Sequence, residues 1–423
     1  MKLSALAILG ALCMANHSAL AQITKAPAAP KSNYTVDVVA QNLDSPWGLQ
    51  FLPGAQMLVT ERPGRLRVVA PDGKVSAPIS GVPQVVARDQ GGLMDVALAR
   101  DFATSGIIYL SYSESRDWLK SGTAIMRAKL KLTANGGTLE DGQVIFRQLP
   151  AIASNHHFGA RIVVNDDTSL FVTLGERYSK RDEAQNPANH MGKVVRINAD
   201  GTPFAGNPKL PGWAPDVWSI GHRNAQGAAL DPQTRALWIT EHGPMGGDEL
   251  NRPEAGKNYG WPIITYGLDY SGAKIGIGTQ KDGMEQPVYY WKPSIATSGL
   301  AFYTGTHEPW KNNAFAGGLA GLHIARLVLV DGKVTAEEQL LADRGWRIRD
   351  VRMGPDNSLY ALTDDPKGLL IRITPKPCPP PPLHGRVKPG HGVVESASTH
   401  RSPKKASASP RNRNLHSQAT PRL

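Results

Sequence analysis

The sequence predicts an all-β fold, a six-bladed β-propeller of four-stranded antiparallel blades. Three observations point there. Short alternating apolar runs are broken by Gly, Pro, Asn and Asp, with few helical stripes. A loose unit recurs: an apolar strand, a turn, a second strand ending in Thr or Ser, then a Gly turn and a third strand. Six such units fill the body at about 57 residues each, the spacing of blades around a central channel. A two-sheet sandwich is the alternative, but it rarely needs six similar units.

The first unit is read at 48–54, 57–60 and 64–69, and the second at 94–98, 107–112 and 125–130. The third lies at 161–164, 170–175 and 192–197, and the fourth at 227–230 and 236–241. The fifth occupies 299–303 and 322–327, and the sixth 350–353, 359–363 and 369–373. Long insertions fall between Arg177 and Met191 and between His242 and Trp291. In a propeller such loops gather on one face and build the site.

Neither end reads as part of the fold. Residues 1–21 run from Lys2 through an apolar stretch, 3–14, to Ala19, Leu20 and Ala21. That order is a secretory signal, so a periplasmic or secreted protein is expected. Residues 22–32 read as a linker and 33–374 as the propeller. Residues 375–423 read as a disordered Pro-rich basic tail, which lacks the apolar area to offset its ordering entropy. The tail holds nine Lys or Arg against Glu395 alone, so most of the formal net charge of +11 belongs to it. Solvated linker chemistry is the expectation there, with no nucleic-acid partner.

The two cysteines, Cys13 and Cys378, both lie outside the body. The body therefore has no Cys-ligated zinc, no iron–sulfur cluster and no c-type haem attachment. No apolar run in the body is long enough for a membrane helix. Walker, GxGxxG and G-x-S-x-G patterns are also absent.

Polar clusters sit in Gly-rich connections: 89–92, 155–159, 221–227, 241–249, 258–262 and 347–350. Each alone has a bland reading as a turn, a cap or a solvated pair. Together they offer complementary chemistry. Arg223, Arg347 and Arg349 are rigid forks suited to a polycarboxylate. Asp248, Glu249 and backbone carbonyls in a Gly-Pro turn are hard oxygen ligands suited to calcium. His157 is a base that titrates near neutrality. An anionic cofactor, a hard cation and a base suggest metal-assisted redox chemistry or metal-assisted hydrolysis.

These motifs stand in the order found in a known family. Residues 45–48, Gln90 to Gly92, His157 with 159–161, 221–224, 241–244 and 258–262 resemble the soluble dehydrogenases of glucose and aldose sugars that depend on pyrroloquinoline quinone (PQQ). The resemblance spans roughly 43–373, and the bacterial aldose sugar dehydrogenase branch is the most similar. It implies PQQ and Ca²⁺ as cofactors and oxidation of an aldose at C1 to a lactone. His157 would be the general base, with Arg223 stabilising charge on the quinone. Gln90, Arg223, Asn224, Arg347 and Arg349 would hold the cofactor. Gly243 and Pro244 would hold the catalytic calcium through their carbonyls, and Glu249 and Tyr259 a second, structural one. Electrons would leave to a separate acceptor, a cytochrome or quinone-type carrier.

Two positions depart from the glucose-type pattern. Ala320 stands where those members carry a Lys that meets PQQ, and His156 stands where they carry an Asp beside the base. A calcium lactonase and a non-catalytic binding propeller remain as alternatives at this stage. The preferred sugar and the oligomeric state stay open.

Overall fold

A computed structural model of the chain describes residues 26–377. The signal expected at 1–21 and nearly all of the tail expected at 375–423 lie outside them. The described part belongs to one compact unit, Met1–Cys378.

Six antiparallel sheets build it. Blade 1 is Pro46–Phe51, Met57–Glu61 and Arg65–Val69. Blade 2 is Leu93–Leu98, Ile107–Ser115, Ser121–Thr133 and Gly136–Arg147. Blade 3 is Gly159–Val164, Leu170–Leu174, Lys193–Ile197 and Val217–Ile220. Blade 4 is Ala225–Leu230, Leu237–Glu241, Asp248–Asn251 and Tyr289–Trp291. Blade 5 is Thr297–Phe302, Ala314–Gly318, Ile324–Val330 and Lys333–Leu340. Blade 6 is Ile348–Met353, Leu359–Thr363 and Gly368–Pro375, and Tyr34–Leu43 supplies its outer strand. Tyr34 pairs opposite Pro375 and Leu43 opposite Gly368, so the two ends of the described chain close the ring in one sheet.

The first strand of each blade contacts the first strand of the next, and Ile348–Met353 returns to Pro46–Phe51. This is the six-bladed propeller the repeats predict. Blade 1 departs from four strands. Its outer position is an irregular segment in which Val75 bridges Val69, Ser76 N–H donates to Val68 O, and Ile79 N–H donates to Leu66 O. Pro78 lies between those two donors and has no N–H to continue a ladder.

Each pair of neighbouring blades buries its own core. Leu58 and Leu66 meet Ile108 and Leu110 between blades 1 and 2. Trp238 and Trp291 meet Phe302 and Leu327 between blades 4 and 5. Tyr360 and Leu362 meet Leu49 and Val59 where blade 6 returns to blade 1. A second strand therefore has apolar residues on both faces, and Leu237–Glu241 is buried throughout.

Hydroxyls stitch the ring together. Thr60 donates to Met94 O, Ser111 to Ala160 O, Thr173 to Ala225 O, Thr240 to Ser298 O and Ser298 to Ile348 O. Each bond crosses to the inner strand of the next blade; the first four start from second strands, which explains the Thr or Ser in those of blades 1 to 4, while Ser298 makes the fifth from the inner strand of blade 5. Residues 26–32 run along blade 5: Ala28 pairs in parallel with Glu337, and Ser32 Oγ donates to Glu338. Among the described residues no helix is long and apolar enough to cross a membrane.

Candidate active site

Inner strands begin, and second strands end, on one face of the ring. Connections entering inner strands carry Gln90, His157, Arg223, Asn224 and Arg347. Loops leaving second strands carry Glu176, His242, Leu319 and Asp364. Two cavities open among them. One of about 290 Å³ is lined by Gln90, Gln226, His242, Arg347, Arg349 and Asp364. The other, about 240 Å³, is lined by Glu176, Tyr178, Arg223, Pro244, Trp261 and Tyr270. A larger cavity of about 650 Å³ lies at the outer edge of blade 5, away from every residue above.

His157 is buried, and two residues bonded to it line one cavity each, Gln90 the first and Glu176 the second. Its backbone N–H donates to Gln90 Oε1 at 2.8 Å, and its Nδ1 lies 3.0 Å from Glu176 Oε2. With Nδ1 engaged, Nε2 is the free nitrogen. Burial holds the imidazole below the ordinary histidine range; Glu176 pulls the other way and the charge of Arg223 adds to the lowering. The ring is thus neutral at pH 7 and able to accept a proton. Gly175 makes this packing possible, because a Cβ there would stand 2.0 Å from His157 O. Asn224 Oδ1 accepts Gly159 N–H at 3.0 Å, which fixes the connection just after the histidine.

Two of the three predicted arginines, Arg223 and Arg349, are joined through His242, to which the sequence reading assigned no role; Arg347 reaches Arg349 through Asp364. Arg223 Nη1 donates to His242 O and to Gly243 O, at 3.1 and 2.8 Å. The His242 Nε2 lies 3.2 Å from Gln226 Oε1, which also accepts from Arg349 Nη1 at 2.8 Å. Burial, then the charges of Arg223, His157, Arg349 and Arg347, holds His242 well below its ordinary range. Arg223 Nε is buried without a hydrogen-bond partner.

Glu176 and Asp364 were missed as well. Arg347 and Arg349 both donate to Asp364, each at 2.8 Å through Nη2. Despite burial, the two guanidinium groups hold its carboxyl down to about 2. A depressed carboxylate pKa stabilises the folded state above the unfolded value, and that contribution is lost as pH falls from about 4 through about 2. Replacing Asp364 with Asn should cost on the order of 2 kcal/mol at pH 7, with the difference from wild type narrowing below about pH 4. Urea unfolding across that range checks it.

The geometry now bears comparison with known proteins. A family profile described as Glucose / Sorbosone dehydrogenase matches residues 43–372. The chain belongs to the glucose/sorbosone dehydrogenase family. It is 46% identical over 355 residues to the aldose sugar dehydrogenase of Escherichia coli, covering 82% of this chain and 95% of that protein. The crystal structure of the soluble E. coli aldose sugar dehydrogenase in its apo form superposes with a TM-score of 0.78 at 45% identity, covering 81% of this chain and all of the other. A PQQ-bound aldose sugar dehydrogenase from Streptomyces coelicolor superposes with a TM-score of 0.68 at 28% identity, covering 82% of this chain and 100% of the other. Members of the glucose/sorbosone dehydrogenase family are oxidoreductases, and so is this protein.

The remaining predicted residues of this family member fall in two places. Gly243 and Pro244 lie beside Arg223, with Gly243 O facing its guanidinium and Gly243 N–H donating to Asp248 Oδ1 at 2.8 Å. Glu249 sits one layer out, its Oε2 accepting from Asn251 Nδ2 at 2.9 Å. Asn251 also donates to Glu241, while its own Oδ1 is buried with no partner. Tyr259 stacks on His222 at 4.9 Å, but its hydroxyl turns to Arg252 O and Glu254 N. Among the described residues no three His, Cys, Asp or Glu side chains gather as a metal site, which the lactonase alternative requires. Ala320 is exposed beside the cavity-lining Leu319, and His156 O accepts from Arg177 Nε.

Proposed function

We propose that this protein oxidises an aldose sugar at C1 to the lactone, with PQQ and Ca²⁺ as cofactors and His157 as general base. One observation supports the reading: a carboxylate-oriented imidazole is bonded to Gln90 and Glu176, which line two cavities, one with Arg347 and Arg349 and the other with Arg223. Among the described residues, the side chains of Arg223, Arg347 and Arg349 bond one anion, Asp364, which leaves excess positive charge for a tricarboxylate. The unpartnered Arg223 Nε is a donor waiting for an acceptor. A cavity of about 290 Å³ sits at the low end of the ~300–1,000 Å³ usual for small-molecule sites.

Gln90, Asn224, Arg347 and Arg349 would hold PQQ, and the carbonyls of Gly243 and Pro244 would hold Ca²⁺ next to it. The half-buried Glu249 side chain, the orphaned Asn251 Oδ1 and a backbone oxygen of Tyr259 would suit a second, structural Ca²⁺. When bound, PQQ supplies a quinone that accepts the hydride from sugar C1, and Ca²⁺ supplies a Lewis acid that polarises it.

His157 Nε2 takes the proton of the C1 hydroxyl. Glu176 fixes the tautomer through Nδ1 and then steadies the imidazolium. Arg223, held by its bonds to the 242–243 carbonyls, neutralises charge as it develops. The lactone leaves and hydrolyses in water to an aldonic acid, and electrons pass to a separate cytochrome or quinone-type acceptor. Export by the 1–21 signal would place the reaction in the periplasm or outside the cell.

Reconstitution tests this. Purified protein given PQQ and Ca²⁺ should gain dye-linked oxidation across a panel of aldoses, and PQQ absorbance should report saturable binding at micromolar cofactor. Absence of turnover with every aldose sinks the reading. Lactone hydrolysis without PQQ would move the assignment to a hydrolase.

A further inference from the structure

Loop 175–192 holds two strained residues beside the base. Arg177 and Tyr178 both sit at positive φ, 66° and 64°. Side-chain-bearing residues seldom occupy this region, and such strain persists only where the surroundings over-determine it. Here they do. Arg177 is fully buried, with Nε donating to His156 O at 3.0 Å and Nη1 to Ser121 O at 2.9 Å. Its guanidinium lies 3.9 Å from the Phe158 ring centroid. The Tyr178 N–H donates to Glu176 Oε2, the oxygen that also binds His157 Nδ1.

This anchoring does not serve to bury Tyr178. The residue is 53% exposed. Its ring meets the His157 ring edge-on, with centroids 5.3 Å apart and planes at 83°, and it lines the cavity of about 240 Å³ that Arg223 also lines. The hydroxyl makes no hydrogen bond among the described residues. An exposed ring on a constrained backbone, touching the catalytic imidazole, is placed for a ligand.

We infer that Tyr178 is a specificity-determining wall of the sugar site, presenting its ring to the apolar C–H face of an aldopyranose. The inference rests on the oxidation reading above. The C1 hydroxyl must reach His157 Nε2, so the sugar ring has to lie next to the residue packed against that imidazole. Aromatic faces are electron-rich and attract the polarised C–H groups of a pyranose. Sugars with an axial hydroxyl on that face would not lie flat on it.

The test compares wild type, Tyr178→Ala and Tyr178→Phe, reconstituted with PQQ and Ca²⁺, using D-glucose. Saturation-transfer NMR of D-glucose on the same proteins reads contact without turnover. In Tyr178→Ala, KM should rise about tenfold, the scale of a lost apolar contact, with kcat within about threefold. The acid limb of the pH profile should stay in place, because Glu176 and His157 remain, and saturation transfer should weaken. Tyr178→Phe should behave as wild type in KM. Unchanged KM and saturation transfer in Tyr178→Ala overturn the inference, as does a loss confined to kcat. If wild type turns over no aldose, the oxidation reading falls by itself, and saturation transfer still decides whether Tyr178 touches the sugar.

Discussion

Replacing His157 with Ala should lower sugar oxidation by the reconstituted enzyme about 10²–10⁴-fold, the range for removal of a general base. The loss should fall on kcat and kcat/KM together, because the imidazole acts on a proton in flight rather than on bound sugar. Folding should survive, since His157 is held by backbone bonds to Gln90 and Gly175 lies close behind it. The pH profile carries a second expectation. Burial holds His157 below 6.5, so its basic form prevails at neutrality and the rate should fall only as pH drops through that lowered value. Glu176 is the one strong influence in the opposite direction. Glu176→Gln should therefore shift the acid limb to still lower pH while reducing kcat, because the imidazolium loses its counter-charge. Steady-state kinetics from pH 4 to pH 9 check both variants. A His157→Ala enzyme with the wild-type rate would remove the base from the mechanism.

Which parts were legible in the sequence follows from how each residue is positioned. The blades could be read because inter-blade cores impose the same apolar pattern on the repeats, and hydroxyl stitches mark the second strands of blades 1 to 4. His157, Arg223, Asn224 and Arg347 lie in connections entering inner strands, where Gly-rich turns mark them. Glu176, His242 and Asp364 lie just past second strands, and their partners come from elsewhere in the ring. Asp364 illustrates why they were passed over. Nothing local separates it from Asp365, yet only Asp364 meets Arg347 and Arg349. A signal was present all the same: an acid follows the second-strand Thr at Glu61, Glu241 and Asp364, and three residues after it at Glu176. Three of these carboxylates tie down the entry to an inner strand: Glu61 accepts from Asp44 N–H, Glu241 from Arg223 N–H, and Asp364 grips Arg347. The repeat thus carries a structural acid that the site has taken over. Blade 1 and Tyr259 show the limit from the other side, because Pro78 and the turn of a hydroxyl toward Arg252 are decided by geometry that spacing does not encode.

Replacing Arg161 with Ala should destabilise the fold by about 3–5 kcal/mol, the usual consequence of removing one partner from a buried ion cluster. Arg161 is fully buried on an inner strand. Its Nη1 lies 2.8 Å from Asp95 Oδ1, its Nη2 3.1 Å from Asp350 Oδ1, and its guanidinium 4.4 Å from the Trp47 ring centroid. Arg352 completes the group, reaching Asp95 at 3.0 Å and Asp350 at 3.1 Å, so two cations balance two anions. The acids also cap neighbours: Asp95 accepts Ile162 N–H, and Asp350 accepts Leu49 N–H. Inner strands of blades 1, 2, 3 and 6 therefore meet in one cluster, and Arg161 Nε extends it to blade 4 through Gln226 O at 2.9 Å. Without Arg161 the two carboxylates keep only Arg352, and burial penalises the unpaired charge. Arg161→Lys should recover part of the loss, since a single ammonium cannot span both acids. Urea unfolding measures the difference. The effect should reach the site as well, because the Gln226 backbone held by Arg161 carries the side chain that joins His242 to Arg349. On the proposed reading, PQQ affinity in Arg161→Lys should then fall even where the propeller stays folded, and unaltered affinity would separate the Arg161 cluster from the proposed cofactor site.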